Sequence, residues 1–158
     1  MTRKVKIVAF FSSCAVLITI LGAAGGAVAG PDDSATAVYS FVNRLRPTCG
    51  IGDDPRLTSA AQRHADDMLT HGVNGHIGSD GSSPQARIAD AGYTRTGYTG
   101  EIVYWGTGSA ATPGAALDAW MGSPPHRSII LNCAFTTAGF ATAWNGDKMT
   151  AVGDFAGP

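Results

Sequence analysis

The sequence predicts an α+β domain, a central antiparallel sheet flanked by helices, and three observations carry that reading. A capping side chain followed by proline recurs at Asp54-Pro55, Ser83-Pro84 and Thr112-Pro113, each ahead of apolar residues at helical spacing. Between the last two, Gly97 to Trp105 holds Ile102, Val103, Tyr104 and Trp105, a strand composition. Near the end, Ala138, Phe140, Thr142 and Trp144 alternate with smaller residues up to Asn145-Gly146, and Met149, Ala151 and Gly153 continue the alternation beyond it. That is a hairpin with a tight Asn-Gly turn. Helices before and between strands, closed by a hairpin, predict layers of helix packed on sheet.

The chain has 158 residues, enough for one domain with a real core. Its first 29 residues differ from the rest. Arg3, Lys4 and Lys6 precede an apolar run from Ile7 to Leu21, and Ala27-Val28-Ala29 has the small-x-small pattern of a signal-peptidase site. Residues 1–29 are therefore expected to be a signal peptide and residues 30–158 a single exported domain, with no membrane span once the leader is removed. Cleavage takes three of the eleven basic residues and none of the twelve acidic ones, leaving a formal charge of −4, which excludes nucleic acid as a natural partner. It also takes Cys14. The two cysteines left, Cys49 and Cys133, are expected to form a disulfide, because an even count in an exported chain meets an oxidising compartment.

The mature part opens with Asp33 and Ser34, and Val38, Phe41, Val42 and Leu45 follow at i, i+3, i+4 and i+7, an amphipathic helix that Pro47 ends. Thr48 to Asp53 reads as a loop. A second helix, capped by Asp54, runs to about His71 with Leu57, Ala61, Ala65 and Met68 inward and Asp66 and Asp67 outward. Gly, Asn, Asp and Ser dominate from there to Ser83, so His76 stands in irregular loop. The third helix is short, with Ile88 and Ala89 inward, and stops at Gly92. The fourth carries Ala116, Leu117, Trp120 and Met121 and is expected to stop on a left-handed Gly122; Ser123 then caps a fifth helix with Pro124 in its first position.

That last junction puts His126 in the first turn of a helix, where the positive end of the helix favours the neutral imidazole. His64 lies beside the apolar stripe of the second helix and is expected to be a core histidine. Glu101 is the one glutamate in the sequence.

Asn43-Arg44-Leu45-Arg46, Asp54-Pro55-Arg56-Leu57-Thr58, His64-Ala65-Asp66-Asp67-Met68, Gly100-Glu101 and Trp120-Met121-Gly122-Ser123-Pro124-Pro125-His126-Arg127 stand in one order along the chain. Together they resemble the CAP domain (cysteine-rich secretory, antigen 5 and pathogenesis-related proteins, or SCP-like) in its bacterial, secreted branch. The resemblance implies an α-β-α sandwich, a secreted, extracellular or envelope location, and an open cleft with two histidines and two acids able to hold a divalent cation, zinc first. Carried over, the cleft residues are His76, Glu101, His126 and Ser123, with His76, His126 and Glu101 as the metal ligands. Ser123 stands where many relatives have the second glutamate, and Ile102 where an asparagine is usual. The resemblance implies a non-enzymatic binding module for a lipid, cell-wall or protein ligand. Two alternatives stand beside it: a hydrolase with His126 as base, Glu101 orienting it and Ser123, Ser128 or a metal-bound water as nucleophile, and a structural envelope domain with a vestigial cleft.

Overall fold

The computed structural model describes residues 30–94 and 97–158, so the expected signal peptide lies outside the described residues. Five helices and four strands follow one another: α1 (Pro31–Arg44), β1 (Gly52–Asp53), α2 (Pro55–His71), α3 (Pro84–Asp90), β2 (Thr99–Thr107), α4 (Pro113–Gly122), α5 (Pro124–Leu131), β3 (Thr137–Asn145) and β4 (Lys148–Ala156), with a 3₁₀ turn at Gly108–Ala110 before α4. The sheet order is β1-β3-β4-β2. The three long strands are antiparallel.

The capping pairs act as the sequence predicts. Asp54 accepts from the Arg56 N–H, Ser83 from Ala86 and Thr112 from Ala115, each with proline in the first turn. Gly146 takes φ +61°, the left-handed turn conformation that an Asn-Gly hairpin needs. Alternation along β3 and β4 then sends side chains to both sheet faces. On one face Phe140, Met149, Ala151 and Phe155 pack with Val38 and Val42 of α1, Ala116 and Trp120 of α4 and Ile130 of α5. On the other, Val103, Ala141 and Val152 meet Ala61, Ala65 and Met68 of α2. The result is the expected helix-sheet-helix sandwich. At Gly139 the approach is so close that a Cβ would lie 1.9 Å from the Thr58 nitrogen, so α2 can cross β3 only over a glycine.

Four local expectations are corrected. The loop before α2 contains a strand, β1, whose two residues pair parallel with β3 through Gly52 N–H to Thr136 O and Asp54 N–H to Ala138 O. α4 does not stop on a left-handed Gly122. The chain turns extended at Ser123 (φ −96°, ψ 114°), because the residue before a proline is driven out of the helical region. Ser123 occupies the N-cap position of α5 but its hydroxyl makes no capping hydrogen bond. In α3, Ala89 is exposed and Arg87 is the residue buried with Ile88.

Two long-range devices fix α4 and α5 against the sheet. Trp120 donates its indole N–H to the Val103 carbonyl at 2.9 Å, on the outer side of β2. Arg46, 2% exposed, donates to Ile130 O, Asn132 O and Phe135 O at 2.6, 2.9 and 2.6 Å and to Cys49 O at 3.1 Å, so one guanidinium ties the end of α1 to the end of α5. Cys49 and Cys133 are joined beside it, with 5.6 Å between their Cα atoms.

Candidate functional site

β2 is an edge strand, and the sequence-predicted site residues gather about it. Glu101 lies near its start with its side chain toward α2 and α3, 5% exposed. His76 comes from the loop after α2 and donates Nδ1–H to Glu101 Oε1 at 2.7 Å; the carboxylate's need for a donor sets that tautomer and leaves Nε2 bare. His126, in the first turn of α5, presents its ring 6.5 Å from the His76 ring at 62°. Three residues drawn from a loop, a strand and a helix thus reach one cleft. Ser123 and His126 also line an adjoining concavity of about 370 Å³ with Tyr104, Trp105 and Trp120.

Several anchors hold the His76 loop. His64 is fully buried, as the apolar stripe of α2 predicts, and donates Nε2–H to Gly75 O at 2.8 Å, one residue before His76. It therefore contributes to the site by fixing the loop. Asp67 accepts from the Ser79 N–H at 2.7 Å. Deeper still is Arg87, 1% exposed, which donates to Glu101 Oε2 at 2.6 Å, to the His76 carbonyl at 3.0 Å and to Ser82 O at 2.8 Å. One guanidinium joins the strand that carries the acid to the loop that carries the histidine. Asp154 of β4 is the direct cross-strand partner of Glu101 and is fully buried. Burial and the Glu101 charge push its carboxyl pKa well above the usual range.

Sequence reasoning did not select Arg87 or Asp154. A signal existed for each. Arg87 is an arginine beside the apolar Ile88 in a short helix, and Asp154 falls in the inward register of Thr150, Val152 and Ala156, where a carboxylate must meet a partner.

The two cleft histidines differ electrostatically. The hydrogen bond to Glu101 raises the pKa of His76 in spite of partial burial, whereas burial, helped by His76, lowers that of His126. His64 is lowered by burial as well. We expect ring titration by NMR to put the His76 midpoint above 6.5 and those of His126 and His64 below it. Glu101→Gln should bring His76 down; a His76 midpoint below that of His126 would contradict the assigned hydrogen bonding. The linkage has two signs. His76 favours the fold below about pH 6.5 and loses that contribution as pH rises through its folded midpoint, while His64 loses stability as pH falls from about 6.5 through its own.

Zinc asks for donors with free lone pairs. Both oxygens of Glu101 are engaged, one by His76 and one by Arg87. Among the described residues no three His, Cys, Asp or Glu side chains form a group able to hold a metal ion. What remains is two imidazoles, His76 through Nε2 and His126. As arranged here the three residues expected as ligands are not gathered into a three-donor group, and no chemistry is derived through one.

A sequence profile described as the CAP, cysteine-rich secretory protein family matches residues 39–155. No curated protein matches the sequence. Among solved structures, an outer surface protein of Borrelia burgdorferi superposes with a TM-score of 0.70 at 20% identity, over 79% of this chain and 92% of that one. An extracellular SCP-domain protein of Bacillus anthracis gives 0.67 at 19%, over 81% of this chain and 41% of that longer one. Venom allergen-like protein 4 of Schistosoma mansoni gives 0.57 at 10%, over 78% and 88%. At these identities the superpositions speak to the fold alone. Among the described residues no helix is long and apolar enough to cross a membrane. With three-quarters of its length under the family profile and the same helix-sheet-helix architecture, the chain belongs to the cysteine-rich secretory protein (CAP) family.

Proposed function

We propose that this is a secreted, non-enzymatic binding module that holds its ligand in the cleft between His76 and His126. The observation that carries the reading is the clamping of Glu101 between His76 and Arg87. A hydrolase built on His126 needs a carboxylate to orient that ring and a nucleophile hydrogen-bonded to it. Here the carboxylate serves the other histidine. Ser128 donates its hydroxyl to Pro125 O at 2.7 Å, and among the described residues His126 has no hydrogen-bond partner. Two imidazoles, one of them bonded to Glu101, and a serine hydroxyl that caps nothing form a polar recognition surface. The outer-surface and extracellular relatives support an extracellular or envelope setting.

The test joins two measurements on protein recovered from the medium. Ester, amide and glycoside substrates should give no turnover, and native mass spectrometry should show a small-molecule adduct that His76→Ala with His126→Ala strips away. Turnover abolished by His126→Ala would overturn the reading. One retained equivalent of zinc, lost with the same substitutions, is the result that would put a metal back into the site.

A further inference from the structure

Trp105 is 50% exposed although it sits inside β2, paired in register with Thr150 of β4. A strand this well paired has the backbone to bury an indole. Leaving half of a large apolar side chain in water forgoes burial at about 25 cal/mol per Å². The indole stands between two concavities. One is the space of about 370 Å³ that it shares with His126, Ser123 and Tyr104; the other, about 170 Å³, it shares with Leu69, Asn74 and Met149. Around its flat apolar surface lie neutral polar groups: the unpartnered His126 ring, the Ser123 hydroxyl that caps nothing, and the Asn74 amide.

We infer that Trp105 is the stacking platform of a saccharide subsite, a sugar ring lying on the indole with its hydroxyls directed to His126 and Ser123. This deepens the binding reading above and rests on it. A pyranose has an apolar C–H face and a polar rim, which matches an aromatic plate bordered by donors and acceptors. The indole's fixed backbone keeps the entropy cost of stacking low. An acyl chain would leave the polar rim unpaired at a desolvation cost. An extended peptide would have to add to the β2 edge, where Trp120 already occupies the Val103 carbonyl. The acidic concavity at Arg63, Asp66, Asp67 and Asp80 is no rival, since Asp66 accepts from Gln62, Asp67 from Ser79, and Asp80 from Ser82 and Arg63.

The experiment titrates the purified protein with chitotetraose and with cellotetraose, following the tryptophan indole N–H signals by NMR. At least one sugar should shift the Trp105 signal saturably and leave that of Trp120, buried and bonded to Val103, in place. Trp105→Ala should weaken binding by roughly tenfold or more and Trp105→Phe by less. An unchanged affinity in Trp105→Ala, or no saturable response to either sugar, overturns the inference. So does a shift of Trp105 by oleate vesicles alone, which leaves the binding reading intact. Cleavage of a bound tetraose supports the subsite and overturns the non-enzymatic reading, so the two claims fail separately.

Discussion

Arg87→Leu is expected to destabilise the fold by about 3–5 kcal/mol, the usual cost of removing one partner of a buried ion pair. The magnitude follows from what the leucine would leave behind. Glu101 and Asp154 lie side by side across the β2–β4 ladder, and Arg87 is the guanidinium bonded to Glu101. The His76 and Ser82 carbonyls lose their donor as well. Because His76, whose pKa its bond to Glu101 raises, is protonated at pH 5 and then balances that carboxylate, the loss should be larger at pH 8 than at pH 5. Arg87→Leu combined with Glu101→Gln should recover part of it, the signature of direct coupling in a double-mutant cycle. Arg87→Lys keeps the charge but cannot reach all three acceptors, so it should fall between. Denaturant midpoints at the two pH values, with Glu101→Gln alone closing the cycle, measure all five proteins; a loss below about 1 kcal/mol in Arg87→Leu would show that the network carries little of the stability.

The second large effect is expected at the disulfide. Cys49 and Cys133 are 84 residues apart, and the loop-closure entropy that the bond removes from the unfolded chain corresponds to about 4–5 kcal/mol, an upper figure. Cys49→Ala with Cys133→Ala should lower stability by up to that amount with little displacement of His126. Arg46 still joins the same two segments through four carbonyls, so the end of α5 stays tied to α1 in the folded state. The measurement pairs denaturation with the chemical shifts of the His126 ring. A stability change within experimental scatter, or a His126 environment lost in the folded variant, would contradict this division between an unfolded-state constraint and a folded-state tie.

What the sequence made legible was local chemistry. Asp54-Pro55, Ser83-Pro84 and Thr112-Pro113 announce helix starts because capping and a fixed proline φ act within four residues. Asn145-Gly146 announces the hairpin for the same reason. The stop of α4 at Gly122 was legible but its conformation was not, because the proline at 124 acts on Ser123, one residue beyond the glycine that draws attention. β1 was missed because two residues carry no periodicity; their pairing is decided by β3, more than eighty residues away. His76, Glu101 and His126 were found through a resemblance. Their hydrogen bonding was not, because it depends on Arg87, whose partners come from a loop and a strand that only the fold brings together.

The indole of Trp120 on the Val103 carbonyl also bears on how the molecule keeps company. A sheet's outer strand is a template for another chain to extend. Here one flank of the sheet has its central acceptor stoppered by a side chain, and the other flank ends in a strand only two residues long. A second copy adding at β2 would find its middle carbonyl already taken. The tryptophan that holds α4 down is thereby also an obstacle to strand addition at the middle of β2.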